Sequence, residues 1–143
     1  MRKIYLASSW RNPFQPELVS YLKDIGHKVY DFRNPKENNY GFGWNQIDPN
    51  WEKWSAKEYI KQLNHPLSIM GFNNDKNAMD WADTCILLLP CGNSAHIEAG
   101  YMIGQGKPCL ILIENTDFKP DLMYKLAKVY DNRYDMIRRL SQL

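Results

Sequence analysis

Short apolar runs alternate with amphipathic stretches along most of this chain. Two runs of six residues, TCILLL at 84–89 and PCLILI at 108–113, are continuously apolar, which is typical of strands covered on both faces. Residues 4–7 form a shorter apolar run, and this run and residues 27–32 and 128–130 are interpreted as three further strands. Together these segments predict a sheet of about five strands.

Helical patterns fill the intervals between the predicted strands. Pro13 and Pro16 open the first predicted helix, since proline is tolerated in a first helical turn, and Gly26 ends it. Later helices are predicted at residues 95–104 and 134–143. A helical pattern also covers residues 55–83, with interruptions expected near Pro66 and Gly71.

Alternation of strands and helices predicts an α/β fold in which a parallel sheet has helices on both faces. We therefore expect a flavodoxin-like or Rossmann-like open parallel sheet. A length of 143 residues suits one domain, so residues 1–143 are predicted to form a single unit.

Residues 34–54 break the pattern with a segment rich in asparagine and glycine. A long irregular segment in a compact domain is usually functional or disordered, and three tryptophans argue against disorder. Trp44, Trp51 and Trp54 either anchor this segment or form a lid that stacks over a ligand. Both alternatives remain open from the sequence.

Charge and cysteine content narrow the functional classes. The net charge of +2 gives no reason to expect binding to nucleic acid or to a membrane. Three cysteines without C-x-x-C spacing favour neither disulfides nor a zinc site, and they fit a reducing cytoplasm. We expect a cytoplasmic protein that uses no metal and no cofactor.

Polar residues cluster where three predicted strands end. Ligands of open parallel sheets bind beyond the carboxyl ends of the strands, so these residues are candidates for substrate binding. The candidates are Ser8, Ser9, Trp10, Arg11, Arg33, Gly92, Asn93 and Ser94.

Glu98 is the most informative polar residue near a strand end. Gly92 permits a tight turn, and Asn93 or Ser94 is expected to cap the helix that follows. Glu98 would then lie in the first turn or just after it, where a carboxylate is either a capping group or a functional one.

A cysteine and a histidine in the same region suggest a second chemistry. Cys91 could act as a thiol nucleophile with His96 as its base. The two residues are five positions apart across a turn, so the sequence does not require them to meet.

Several spaced motifs resemble the nucleoside 2-deoxyribosyltransferases and their relatives, the 2′-deoxynucleoside 5′-phosphate N-hydrolases. The most specific block is E-x-G-x-x-x-G-x-G-K, which runs from Glu98 to Lys107. Shorter similar segments are Ile4-Tyr5, Asn74-Asp75, residues 82–87 and residues 119–123.

The resemblance implies a role for each matching residue. It implies that Glu98 attacks the anomeric carbon, that Asp75 protonates or holds the leaving base, and that Tyr5 orients the glutamate. It also implies a homo-oligomer in which Asp121 and Met123 reach a neighbouring subunit's site. A carboxylate that traps an oxocarbenium-like sugar is reasonable chemistry, as in retaining glycosidases.

The chain departs from the resembled family at two positions. Gly92 stands where the transferases carry an acidic residue, and Asp121 stands where they carry asparagine. The first departure bears on base recognition and exchange. In the hydrolase relatives, hydroxyls and backbone amides hold a 5′-phosphate near these turns, and Ser8, Ser9 and Ser94 with Arg11 could do the same.

The sequence therefore predicts an enzyme that cleaves the N-glycosidic bond of a nucleoside or nucleoside 5′-monophosphate. The sugar of the substrate would first become covalently bonded to Glu98 and would then be transferred to another base or to water. The main alternative is a non-catalytic module that senses or sequesters a nucleotide.

Overall fold

Strands and helices alternate as the apolar pattern predicts. The structure is a computed structural model, and it describes residues 1–114 and 117–143. The strands are β1 (Lys3–Ala7), β2 (Lys28–Tyr30), β3 (Thr84–Leu88), β4 (Cys109–Leu112) and β5 (Lys128–Tyr130). The α-helices are α1 (Gln15–Asp24), α2 (Ala56–Gln62), α3 (Pro66–Trp81), α4 (Asn93–Gly104) and α5 (Arg133–Leu140). Short 3-10 helices lie at Trp44–Gln46, Trp51–Lys53 and Leu122–Leu126.

All five strands join one parallel sheet in the order β2-β1-β3-β4-β5. Alternate strand residues point to opposite faces. One face packs against α1 and α5 around Leu18, Leu22, Met136 and Leu140. The opposite face carries α4, which contacts β1, β3 and β4. The predicted α/β fold class is confirmed.

Backbone contacts divide the chain into two compact units. Unit 1 comprises Met1–Asp31 and Met79–Leu143, and it contains the whole sheet with α1, α4 and α5. Unit 2 is Phe32–Ala78, which contains α2, most of α3 and the first two 3-10 helices.

The prediction that Gly71 interrupts a helix is wrong, because α3 runs through it without a break. A β-carbon at Gly71 would lie 3.0 Å from the Cβ of Phe42. Gly71 therefore allows Phe42 to pack closely against α3, and it does not change the direction of the helix. This packing depends on a residue 29 positions away, and no local pattern reveals it.

Aromatic side chains hold the irregular part of unit 2. The ring of Trp44 makes edge contacts with Phe42, Trp54 and Tyr59, with centroids 4.8–5.9 Å apart. Trp54 also donates its indole N–H to the Asp48 carboxylate at 2.9 Å. These contacts support the anchoring alternative for Trp44 and Trp54.

A charged cluster joins three elements of unit 1. The guanidinium of Arg133 binds the carboxylates of Glu17 and Glu114 at 2.7 Å each and lies over the ring of Tyr21. Hydrogen bonding to Arg133 lowers the pKa of Glu17. Arg133 therefore fastens the start of α5 to α1 and to the residues after β4.

His27 is expected to make the stability of the protein sensitive to pH. Its Nδ1 accepts a hydrogen bond from the backbone N–H of Arg2 at 3.0 Å, which requires the neutral ring. Burial first, and then the positive amino terminus and Arg2, lower the pKa of His27 below its ordinary value of 6.5. Between the lowered pKa of the folded state and the ordinary pKa of the unfolded state, the unfolded chain binds more protons than the folded chain. The free energy of unfolding therefore falls as the pH falls.

We expect the free energy of unfolding of the wild-type protein to decrease as the pH is lowered from about 7.5 to about 5.5. The decrease should be less steep in His27→Asn. Asparagine retains an acceptor but does not titrate. Urea unfolding of both proteins across this range measures the difference. Equal slopes for the two proteins would show that His27 does not contribute to the pH dependence.

Candidate active site

Tyr5 and Glu98 meet although 93 positions separate them in the sequence. Tyr5 is buried in the middle of β1, on the face that α4 covers, and its hydroxyl donates to Oε2 of Glu98. The ring of Tyr5 stacks on Tyr30 of β2, with centroids 5.3 Å apart and planes 15° apart. Burial and stacking fix the direction of the hydroxyl, which in turn orients the carboxylate.

Glu98 is not a helix cap. It is the sixth residue of α4, in the second turn, and the first turn contains no acidic residue. The capping alternative is therefore wrong. The half-buried carboxylate needs another explanation.

The prediction that Asn93 or Ser94 caps α4 is also wrong. Gly92 occupies the cap position, and no side chain caps the helix there. Asn93 and Ser94 lie inside the exposed first turn instead. Gly92 offers no side-chain acceptor to the backbone N–H groups at this end of α4, and exposed N–H groups at a helix start favour anions.

Gly92 leaves open space at the start of α4. A β-carbon built on it would meet no atom within 4 Å, and its φ of −99° is accessible to any residue. Neither sterics nor backbone conformation requires glycine here. An acidic side chain, as in the resembled transferases, would fit this position.

The loop after β1 is tied to the loop after β3. Ser8 donates its hydroxyl to the carbonyl of Leu88 at 3.0 Å and accepts from the amide of Asn12. Asn12 is fully buried and also donates to the carbonyl of Pro90 at 3.2 Å. The Ser8 hydroxyl hydrogen is therefore engaged within the protein, and Asn12 is a positioning residue that was not among the predicted site residues.

Three other candidates in this loop face solvent to differing degrees. Arg11 is exposed, Trp10 is half exposed, and Ser9 is half-buried with its hydroxyl accepting from the Arg11 backbone at 3.1 Å. Because Ser8 and Asn12 bind this loop to the chain just before Gly92, Arg11 belongs to the same edge of the sheet as the start of α4.

Cys91 lies 3.8 Å from Nδ1 of His96, but the geometry does not activate the thiol. The same Nδ1 lies 2.7 Å from the carbonyl of Gly92, to which it can only donate. The nitrogen therefore carries a proton already and cannot take one from sulfur. Burial, and then the charge of Glu98, raise the pKa of Cys91 to about 12. These observations argue against Cys91 as a nucleophile.

Asp121 and Met123 lie at the start of the 3-10 helix Leu122–Leu126. The Asp121 carboxylate accepts from the backbone N–H of Met123 at 2.8 Å, and both side chains are exposed. The next residue, Tyr124, bonds to His96 of α4 through its hydroxyl at 2.8 Å. Tyr124 was not among the predicted residues.

Two candidates belong to unit 2. Asp75 lies on α3 and is half-buried, as is Arg33, whose guanidinium lies 5.9 Å from the ring of Phe32. A shallow cavity of about 570 Å³ in the same unit is lined in part by Asn73, Asn74 and Asn77.

The G-x-G-K end of the motif has a structural role. Gly106 has a φ of +79° and ends α4, with its N–H donating to the carbonyl of Ile103. The ammonium of Lys107 binds the carbonyl of Met79, near the end of α3, at 2.7 Å. These residues fix the far end of the helix that carries Glu98.

The described residues give no sign of a metal centre or of a membrane span. Residues 1–114 and 117–143 contain no group of three or more His, Cys, Asp or Glu side chains arranged to hold a metal. No helix in the same ranges is long and apolar enough to cross a membrane.

Comparison with known proteins finds similarity at the level of structure. No family model and no curated protein matches the sequence. A 2-deoxyribosyltransferase from the psychrotolerant bacterium Bacillus psychrosaccharolyticus matches 93% of this chain and 88% of its own, with 24% identity and a TM-score of 0.57. The chain shares the fold of this protein.

Two further solved structures have the same fold. A CMP N-glycosidase from Clostridium botulinum matches 96% of this chain and 97% of its own, with 16% identity and a TM-score of 0.50. A conserved protein from Enterococcus faecalis V583 matches 99% and 98%, with 14% identity and a TM-score of 0.53. At these identities the likeness establishes the fold, and the chemistry must be argued from the residues of this chain.

Proposed function

We propose that this protein cleaves the N-glycosidic bond of a nucleoside or nucleoside 5′-monophosphate, with Glu98 as the nucleophile. The observation that carries the proposal is the hydrogen bond from the buried Tyr5 hydroxyl to the Glu98 carboxylate. Two proteins with this fold are named for related chemistry, one a 2-deoxyribosyltransferase and the other a CMP N-glycosidase.

In the first step, a carboxylate oxygen of Glu98 forms a bond to the anomeric carbon of the sugar. The bond from that carbon to the base breaks, and its electron pair goes to the base nitrogen. Asp75 is proposed to protonate or hold the departing base, since a leaving group with less negative charge departs more readily.

In the second step, water or another base attacks the anomeric carbon and releases Glu98. Water gives hydrolysis with loss of a proton, whereas an acceptor base gives transfer. The open space at Gly92, where the resembled transferases carry an acidic residue, favours hydrolysis because one base-recognising group is absent.

The exposed Asp121 and Met123 are proposed to serve a homo-oligomer. By the resemblance, they would reach the site of a neighbouring copy. The remaining candidates, Ser9, Trp10, Arg33, Asn93 and Ser94, are proposed to contact substrate.

A 5′-phosphate is expected to strengthen binding through Arg11 and the uncapped start of α4. A guanidinium can make charge-assisted hydrogen bonds to phosphate, and backbone N–H groups at a helix start favour anions. Arg11→Ala should raise KM for the monophosphate about tenfold and leave KM for the nucleoside unchanged. Arg138→Ala, an exposed substitution on α5, is the control. Equal effects of Arg11→Ala on both substrates would refute the phosphate contact.

The function is tested by incubating the protein with ribo- and 2′-deoxyribonucleosides and their 5′-monophosphates. Chromatography measures the released base, and an added acceptor base separates transfer from hydrolysis. We expect base release from at least one member of the panel. Binding of a nucleotide without any base release would support the non-catalytic alternative.

A further inference from the structure

His96 and Tyr124 join two segments of unit 1 that lie 28 positions apart in the chain. The Tyr124 hydroxyl lies 2.8 Å from Nε2 of His96, and their rings stack with centroids 5.8 Å apart and planes 14° apart. On its other side, the His96 ring reaches the carbonyl of Gly92 through Nδ1 at 2.7 Å. One imidazole therefore contacts both the start of α4 and the 3-10 helix Leu122–Leu126.

The hydrogen-bond roles of this pair follow from chemistry. A carbonyl oxygen only accepts, so Nδ1 of His96 carries the hydrogen that binds Gly92. In the neutral ring Nε2 then has a free lone pair, and the Tyr124 hydroxyl donates to it.

The 3-10 helix Leu122–Leu126 is exposed over most of its length, and it also contacts β5. Runs of 3-10 helix are short and have poor hydrogen-bond geometry. Tyr124 is the one residue of the five that is not exposed, whereas Leu122 is 78% exposed. An open groove of about 950 Å³ lies beside this helix and is lined by residues that include Tyr124, Lys125 and several from β5 and α5.

We propose that His96 and Tyr124 form a latch that holds this 3-10 helix against the first turn of α4 and thereby sets the affinity for substrate. The latch rests on the proposed function, because the Gly92 turn lies at the carboxyl end of β3, where ligands bind in this fold. His96 and Tyr124 are positioning residues that act through the turn and through residues 121–123.

Substitutions in the latch should change KM rather than kcat. Tyr124→Phe keeps the stacked ring but removes the hydroxyl that donates to Nε2 of His96. His96→Leu removes both hydrogen bonds. We expect each variant to raise KM about five- to tenfold for the best substrate of the panel above, with kcat within about twofold of wild type.

A double-mutant cycle with a matched control tests whether the two residues act as one unit. If they do, His96→Leu combined with Tyr124→Phe should raise KM no more than His96→Leu alone. The control is Tyr134→Phe, which removes the hydroxyl of a tyrosine that is 78% exposed on α5 and should change nothing. Unchanged KM in both latch variants, or multiplied effects in the double variant, would overturn the proposal.

Hydrogen exchange provides a readout that does not depend on turnover. Backbone amides of residues 121–127 should exchange faster in Tyr124→Phe and His96→Leu than in wild type or Tyr134→Phe. If wild type releases no base from any substrate, the proposed function fails. Faster exchange would then still support the latch as a physical link, and unchanged exchange would refute it.

Discussion

Glu98→Gln is expected to lower base release by about a thousandfold or more while substrate still binds. Glutamine retains the size of the side chain and an oxygen that can accept from Tyr5, but it has no anionic nucleophile. Loss of a covalent route removes several kcal/mol of transition-state stabilisation. Single-turnover kinetics measures the rate, and calorimetric titration measures the binding.

Stability provides the internal check on this variant. Glu98 is in the second turn of α4, so Glu98→Gln removes no helix cap; it weakens only the charge-assisted bond from Tyr5, and the free energy of unfolding should fall by no more than about 1.5–3 kcal/mol. Glu58→Gln, an exposed substitution on α2, is the matched control for loss of one carboxylate. A Glu98→Gln protein that releases base at the wild-type rate would show that Glu98 is not the nucleophile.

Tyr5→Phe is expected to give the next largest loss, about 10- to 150-fold in kcat. Phenylalanine preserves the buried ring and its stack on Tyr30 but removes the hydroxyl that binds Glu98. A hydrogen bond to a charged group is worth about 1.5–3 kcal/mol, which corresponds to this range of rates.

Tyr134→Phe again serves as the control, because its hydroxyl belongs to an exposed ring on α5. The comparison is made by steady-state kinetics with the same substrate for both variants. If Tyr5→Phe and Tyr134→Phe both retain the wild-type kcat, Tyr5 does not orient the nucleophile.

The fold could be predicted because burial leaves a strong local pattern. The runs at 84–89 and 108–113 are apolar throughout since β3 and β4 lie in the sheet interior, covered by helices on both faces. The short edge strand β5, at 128–130, was predicted as well. The second strand was predicted too long, because only Lys28–Tyr30 pairs with β1.

Features that depend on distant residues could not be predicted from local patterns. Gly71 looks like a helix break unless its contact with Phe42 is known. The caps expected at Asn93 and Ser94 were wrong because the exact first residue of a helix depends on its surroundings.

The same limitation applies to the candidate site. Tyr5 and Glu98 were paired through the resemblance to a family, since no periodicity links residues 93 positions apart. Tyr124 leaves no local signal in the sequence because its partner, His96, lies on another element. Asn12 is a buried polar residue in a loop, and only its bonds to Ser8 and Pro90 reveal its role.

The central claim is that the sugar becomes bonded to Glu98. The most direct measurement is mass spectrometry of a quenched reaction in which the substrate carries a 2-fluoro substituent. The substituent slows breakdown of the intermediate. No lysine or arginine lies between Lys76 and Lys107, so trypsin leaves Cys91 and Glu98 on one peptide. Fragmentation must therefore assign the added mass. The account predicts a sugar adduct on Glu98, absent in Glu98→Gln, and an adduct on Cys91 instead would contradict it.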